Sequence, residues 1–370
     1  MRISARTLLW AVALCATPAG SLLAQAGDLP GAILPNTDTP PNRQGTRGAN
    51  FLEIGVGARE NALAGAAGSL SEGPSAWYWN PAAVVNVEGF SVTASRQNLY
   101  PDLDIAHNYV GLAIPFLGGV AGVSFTSLNS GDIPRTTVDD PFGDATVGKT
   151  FEWTSTEVGI GYARRLTDRL ELGGQIKTVG EGVSDARSNW VGLDLGTRFR
   201  TGLYGLAIGA AVQNVGPASR MRGQLINRNV NTDEFNNQNT KVGLRTKDTE
   251  LPTMFRFSVE SDLFGRASSL FGNGNKNNSL RGEVAFNQAI DTDVQAALGL
   301  EYAFANKLFL RGGKRFYNDG RATGSNAQFG LSGGGGLRLP VGERFLQFDY
   351  AYTSLGELQN IQVFTFSFGR

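Results

Sequence analysis

His107 is the single histidine of a 370-residue chain, and Asp102 and Asp104 stand just before it. A histidine beside carboxylates could hold a metal ion or serve as the base for a serine nucleophile. Either chemistry would hang on one imidazole, because the sole cysteine, Cys15, lies in the N-terminal leader. A solvated position at a loop edge is the plainer expectation for His107. The run Gly333–Gly336 could cradle a phosphate, yet it sits inside an alternating stretch with no helix after it. Those glycines are better read as room for a neighbouring segment to lie close. Asp262 and the Asp319–Arg321 segment lack acid–base spacing. With no catalytic constellation, metal site or cofactor motif, the chain is expected to be non-enzymatic.

A larger set of charges is spread along the chain: Glu157, Glu171, Lys177, Asp194, Arg198, Arg256, Glu260, Glu283, Glu301, Arg311, Arg315, Arg338 and Asp349. All fall on the polar side of stretches that alternate with a period of two. In Val294–Phe304, for example, Val294, Ala296, Leu298, Leu300, Tyr302 and Phe304 interleave with Gln295, Ala297, Gly299, Glu301 and Ala303. Such alternation puts each set on its own face of a strand. Fourteen stretches follow the pattern: 89–97, 105–115, 118–128, 150–164, 169–181, 187–199, 202–212, 252–262, 279–289, 293–304, 307–316, 327–339, 343–354 and 358–368.

A soluble sandwich would turn the apolar faces inward, whereas a membrane barrel turns them to lipid and keeps the charges in its lumen. Alternation alone leaves these two close. Connection lengths separate them. The joins at Phe116-Leu117, Leu166–Asp168, Arg200-Thr201, Ala305-Asn306 and Pro340–Gly342 are short, while 129–149, 213–251 and 317–326 are long and polar. Short turns at one end and long loops at the other are the habit of outer-membrane barrels. Segment 263–278 is long where a short turn is expected, and 290–292 is short on the long-loop side; the even strand count is unaffected. Inside such a lumen, charges of both signs would pair across strands, each pair worth roughly 0.2 to 1 kcal/mol, or would set the polarity of a channel.

The N-terminus agrees with export. Arg2 and Arg6, the apolar run Leu8–Ala16 and Ala24-Gln25-Ala26 read as a signal peptide over 1–26. The mature chain of about 344 residues then has no cysteine, which excludes disulfides and thiolate metal sites. Lysine plus arginine balance aspartate plus glutamate at 33 each, so composition offers no electrostatic case for nucleic acid. No later segment reaches the roughly 18 to 20 apolar residues of a membrane helix. Residues 27–50, rich in Pro, Asn, Thr and Gly, are read as a flexible mature N-terminus; 51–88 precede the strands, and 89–370 hold them.

Within 51–88 stand Gly55-Val56-Gly57-Ala58-Arg59, Gly65-Ala66 and Ala76-Trp77-Tyr78-Trp79-Asn80-Pro81-Ala82. By physics alone this is a capped turn with aromatic anchors, although a segment at the mouth of a pore is free to fold into it. The run from Gly55 to Ala82 resembles the N-terminal signature of PorV/PorQ outer-membrane proteins, within the wider FadL-like group of long-chain fatty-acid transporter barrels. Val212–Gly216, Gly299–Tyr302, Leu310–Gly313 and Phe348–Tyr352 continue the resemblance along the chain. It implies a 14-stranded antiparallel transmembrane β-barrel with a small lumenal N-terminal hatch, whose motif residues are Gly55, Gly57, Arg59, Gly65, Trp79, Asn80, Pro81 and Ala82. It also implies a bacterial outer-membrane location. PorV-type members carry cargo proteins from the translocon to a cell-surface sortase complex in type IX protein secretion; FadL-type members pass hydrophobic small molecules through the barrel wall. Leu63-Ala64 departs from the Met-Gly of related chains, and the C-terminal Phe368-Gly369-Arg370 departs from a terminal aromatic.

Overall fold

The computed structural model describes residues 45–100, 105–136, 140–143, 150–231, 239–266, 269–272, 277–316, 330–354 and 360–370. The predicted signal peptide, most of the flexible N-terminus, Asp102, Asp104 and Asp319–Arg321 lie outside these residues. Strands are numbered in chain order: β1 Ser91–Tyr100, β2 Ile105–Phe116, β3 Gly119–Asn129, β4 Ile133–Pro134, β5 Thr150–Phe151, β6 Trp153–Arg165, β7 Leu170–Val183, β8 Ala186–Arg200 and β9 Ala207–Val215. The second half supplies β10 Asn227–Asn231, β11 Asn239–Gly243, β12 Met254–Phe264, β13 Asn278–Ala289, β14 Gln295–Phe304, β15 Leu308–Phe316, β16 Leu331–Val341, β17 Arg344–Ser354 and β18 Asn360–Gly369.

Fourteen of these close an antiparallel barrel in which each strand pairs with its neighbour in sequence, and β1 pairs with β18 to seal the seam. All fourteen alternating stretches of the sequence become barrel strands. Alternation is the cause. Ile160, Ile176 and Leu195 stand exposed on the outside at 69%, 63% and 56%, while Glu157, Lys177 and Asp194 are buried on the inside. An exposed apolar belt around a polar interior is the inverse of a soluble core, and it is stable only against hydrocarbon. At the short-turn end, Ala305 (φ 51°) and Asn306 (φ 55°) make a tight left-handed hairpin turn that matches strand twist.

Three details differ from the sequence reading. The strand expected at 202–212 begins only at Ala207, because Thr201–Leu206 forms a closed turn in which the Thr201 N–H donates to the Leu206 carbonyl (2.9 Å). The stretch 150–164 breaks at Glu152, giving β5 and β6. The two long outer loops carry ladders of their own, β4 with β5 and β10 with β11. They lie beyond the lipid belt, where no two-sided burial imposes a period.

Candidate functional site

The segment ahead of β1 threads the lumen from the long-loop end to the short-turn end. The Gly48 N–H donates to the Glu250 carbonyl in an outer loop (3.0 Å), and Arg47 pairs with the Glu250 side chain. Phe51 and Leu52 pack with Val179, Trp190 and Leu251. The packed interior therefore begins at Gly48, within the stretch read as flexible. Deeper in, the short helix Ala58–Ala62 starts after Gly57, whose φ of 84° suits a residue without Cβ. Ala58 and Ala62 rest on Ala351 and Val363, and the Ala58 N–H donates to Thr365 Oγ1 (2.7 Å).

The predicted hatch motif is brought together. Asn61 Nδ2 donates to the Gly55 and Gly57 carbonyls (3.1 and 2.8 Å), and Trp79 Nε1 to the Val56 carbonyl (2.9 Å). Asn80 Nδ2 donates to the carbonyls of Gly68 (2.9 Å) and Thr197 (3.0 Å), while its Oδ1 accepts from the Ala82 N–H (3.1 Å). Asn80 thus caps the turn Pro81–Asn86, with proline at the first position where no N–H is needed. The Gly65 carbonyl accepts from Asn287 Nδ2 (3.3 Å), and Arg315 Nε donates to the neighbouring Ala64 carbonyl (2.9 Å). Arg256 closes the aromatic side, lying over the Trp79 ring at 4.5 Å and the Tyr78 ring at 4.9 Å.

The inward charges do not form one site but several. Glu301 is the hub of the largest: Arg59 binds it with two bonds (2.7 and 3.0 Å), Arg311 Nε with one (2.7 Å), and Arg281 pairs with it as well. Arg281 also holds Glu72 of the hatch (2.6 Å), and Arg311 holds Asp349 (2.6 Å). Gln347 joins Asp349 (2.7 Å) to Arg338, which donates from Nε (2.6 Å). Elsewhere Lys177 pairs with Asp194 (2.7 Å), Arg198 with Glu260 (2.9 Å), and Glu157 accepts from Ser124 and Thr126 (3.1 and 2.8 Å). Glu283 accepts the Ser69 and Leu70 N–H groups of the hatch (3.0 and 2.6 Å). Cross-strand pairing and hatch anchoring are both realised. Arg281 escaped the sequence reading although it shares the inward set with Glu283, two residues on; Glu72 carried no periodic signal at all.

His107 is not a solvated loop residue. It is 2% exposed, the third residue of β2 on the inward face, with Gln97 and Leu128 as its cross-strand partners. Phe51 and Leu52 of the hatch pack at the outer end against a cluster that Leu128 joins, and this packing covers His107. Of the four glycines at 333–336, Gly334 meets the hatch, since a Cβ there would lie 2.7 Å from the Ala62 Cβ, and Gly336 makes room for Asp349. Asp262 pairs with Arg266 (3.6 Å). Among the described residues no three His, Cys, Asp or Glu groups gather as a metal site.

Glu53, at the end of the short outer turn Asn50–Glu53, has its carboxyl pushed up to about 7. Burial is the main cause, the nearby Asp291 adds to it, and Arg256 opposes it. Asp291 is itself buried, with neither carboxylate oxygen hydrogen-bonded. A carboxyl raised in the folded state favours the protonated form, so its stabilising share is complete below the unfolded value of 4.5 and is lost as pH rises through 7. With the intrinsic pH dependence of exchange divided out, protection of residues 50–56 is therefore expected to fall between about pH 4.5 and 7, by at most roughly tenfold per pH unit, and to level off above that. Glu53→Gln should flatten that dependence; a profile unchanged by the substitution would assign it to another group.

Two cavities flank the helix Ala58–Ala62. The outer one, about 400 Å³, is bounded by Asn61, Glu53, Gln97 and Arg315; the inner one, about 450 Å³, by Arg59, Glu60, Arg338, Phe345 and Thr365. A third hollow of about 550 Å³ lies on the barrel wall between β8, β9, β12 and β13, lined by Leu195, Val212, Phe255, Phe257, Phe286 and Val294. Gly196 and Ala211 line it too, and Asn80 and Pro81 stand directly behind Gly196.

Solved structures share this architecture. The CymD monoaromatic hydrocarbon channel is 12% identical with a TM-score of 0.53, matching 85% of this chain and 96% of its own. The Pseudomonas putida toluene transporter TodX is 12% identical with a TM-score of 0.50 over 85% and 96%. The Ralstonia pickettii toluene transporter TbuX is 11% identical, TM-score 0.50, over 85% and 97%. The fold is FadL-like. At such identities the likeness concerns architecture alone. No protein-family model and no curated sequence matches the chain.

Proposed function

We propose that this chain is an outer-membrane transporter that passes hydrophobic small molecules between its plugged lumen and the surrounding lipid. The observation that carries this reading is the apolar hollow on the wall, floored by Gly196 and Ala211 with Asn80–Ala82 immediately behind them. A wall thinned by small residues, greasy outside and backed by a capped turn, suits exchange of an apolar solute. The FadL-like fold shared with toluene transporters supports the same class of cargo. Expression in an outer membrane is expected to speed toluene entry, and Asn80→Ala to cut that entry about tenfold. The variant loses three hydrogen bonds, worth about 0.5 to 1.5 kcal/mol each. Normal entry in a folded Asn80→Ala barrel would defeat the proposal.

A second reading is favoured by the Gly55–Ala82 signature itself, which resembles PorV/PorQ proteins and forms the plug. On that reading the barrel is a carrier or accessory of type IX protein secretion, and the outer loops with their ladders β4–β5 and β10–β11 meet secreted cargo, a translocon or a sortase. Deleting both loops should then abolish cargo export and leave toluene entry intact.

A further inference from the structure

Of the inward cations named above, Lys177 alone is a lysine; the others are arginines. A guanidinium keeps its proton in a protein, whereas a primary amine can serve as a nucleophile. Lys177 and its partner Asp194 are both buried, with Nζ 2.7 Å from Oδ2. They stand on the adjacent strands β7 and β8, where Gln175 faces Asp194 and Lys177 faces Gly192. A Cβ on Gly192 would lie 3.3 Å from Cγ and Cε of the lysine, so the glycine leaves the stem room to cross toward Asp194.

The other oxygen of Asp194 is held by an irregular piece of backbone. β8 and β9 slip register between Leu193 and Leu195, and Asn214 in the slip takes a left-handed φ of 60°. Its N–H donates to Asp194 Oδ1 (2.7 Å) instead of to the ladder. Bulges recur beside active sites, where they re-aim a group. This donor sits where negative charge gathers when an amine adds to the carboxyl carbon. Glu157 lines the same small cavity from β6, diagonal to Lys177, since Gly159 is the residue directly opposite. Diagonal pairs on one face are about 7–8 Å apart at their backbones, within reach of long side chains. Leu52, Trp77 and Tyr78 of the hatch close the cavity, whose volume of about 10 Å³ admits about one water.

We infer that Lys177 and Asp194 condense into an isopeptide bond that rivets β7 to β8 behind the hatch. One proton passes from Nζ to Oδ2 along the existing bond, and the freed lone pair attacks Cγ. Oδ1 gathers the charge against the Asn214 N–H. A second proton moves from nitrogen to Oδ2 by way of Glu157 and the enclosed water, and Oδ2 departs as water. One C–N bond forms, one C–O bond breaks, and ammonium plus carboxylate become amide plus water with no change in net charge. A desolvated ion pair is costly, an amide carries no charge, and little water is at hand to reverse the step.

Tryptic digestion of the purified barrel, folded and then denatured, tests this by mass spectrometry. Cleavage at Lys177 should fail, and residues 170–187 should be recovered joined to residues 188–198, lighter than the two peptides together by one water molecule. Lys177→Arg keeps the charge without the amine; it should restore cleavage at that position and release the peptides apart. Glu157→Asp draws the acid back by one methylene and should slow joining during refolding roughly a hundredfold. Full cleavage at Lys177 in the unaltered barrel, with residues 188–198 free, would overturn the inference and leave an ordinary buried ion pair. A joined peptide that persisted in Lys177→Arg would overturn it too, and an unchanged rate in Glu157→Asp would remove the proton relay on which the step depends. The readout is a mass, independent of toluene entry and of cargo export.

Discussion

Glu301→Gln is expected to loosen the hatch more than any other single charge substitution. The residue neutralises Arg59 from the hatch together with Arg281 and Arg311 from the wall, and all four side chains are at least nine-tenths buried. An amide removes the one anion these three guanidinium groups share, and breaking a buried pair from one side costs about 3–5 kcal/mol. The remaining anions, Glu72 and Asp349, already hold Arg281 and Arg311 and cannot move to the centre. The midpoint of heat-modifiable migration should fall, and the hatch should become open to protease while the wall stays folded. Glu157→Gln is the matched control, because that carboxylate meets hydroxyls and costs about 1 kcal/mol to alter. Equal effects of the two substitutions would remove the hub from the account.

Gly173→Val and Gly313→Val are expected to unseat the hatch by crowding. A Cβ on Gly173 would overlap the Pro81 carbonyl, and one on Gly313 the backbone at Leu63 and Ala64. Neither neighbour is a flexible side-chain end that can swing away. Overpacking of this kind costs about 1–3 kcal/mol, and more where backbone must shift. Valine at Gly333 or Gly335 should be harmless by comparison, since the nearest atoms to a new Cβ there are 3.8 and 3.4 Å off. Planar-bilayer conductance reads the difference: it should rise for the first pair and stay at the unaltered level for the second. A silent Gly173→Val and Gly313→Val would mean that the plug does not depend on close backbone contact.

The barrel was legible because lipid and lumen impose opposite demands on successive residues, so every wall strand wrote its period into the sequence. Connection lengths then ordered the two ends. The outer ladders β4–β5 and β10–β11 were hidden because they belong to the long loops and not to the closed wall, and the Thr201–Leu206 turn was hidden because its Leu206 continues the alternation of Ile208, Ala210 and Val212. The polar inward set was legible as a set, but its pairing was not. Arg59 meets Glu301 across 242 residues and Arg281 meets Glu72 across 209, distances over which spacing says nothing. His107 was misplaced for a related reason: whether an inward residue near the rim is wet depends on how high the plug reaches, which only its packing with Val179, Trp190 and Leu251 reveals.

The seam has a consequence for assembly. β1 closes the wall by joining β18, and the helix just upstream is bonded to that same last strand, Ala58 to Thr365 across 307 residues. The plug's own partners thus come from the opposite end of the barrel's strand order. A cylinder shut beforehand would have to admit some forty residues lengthwise between tightly packed walls. The sheet must instead curl around its own leader, with the cork in the neck while the glass is still open, and any delay in seating it will keep the first and last ribbons apart.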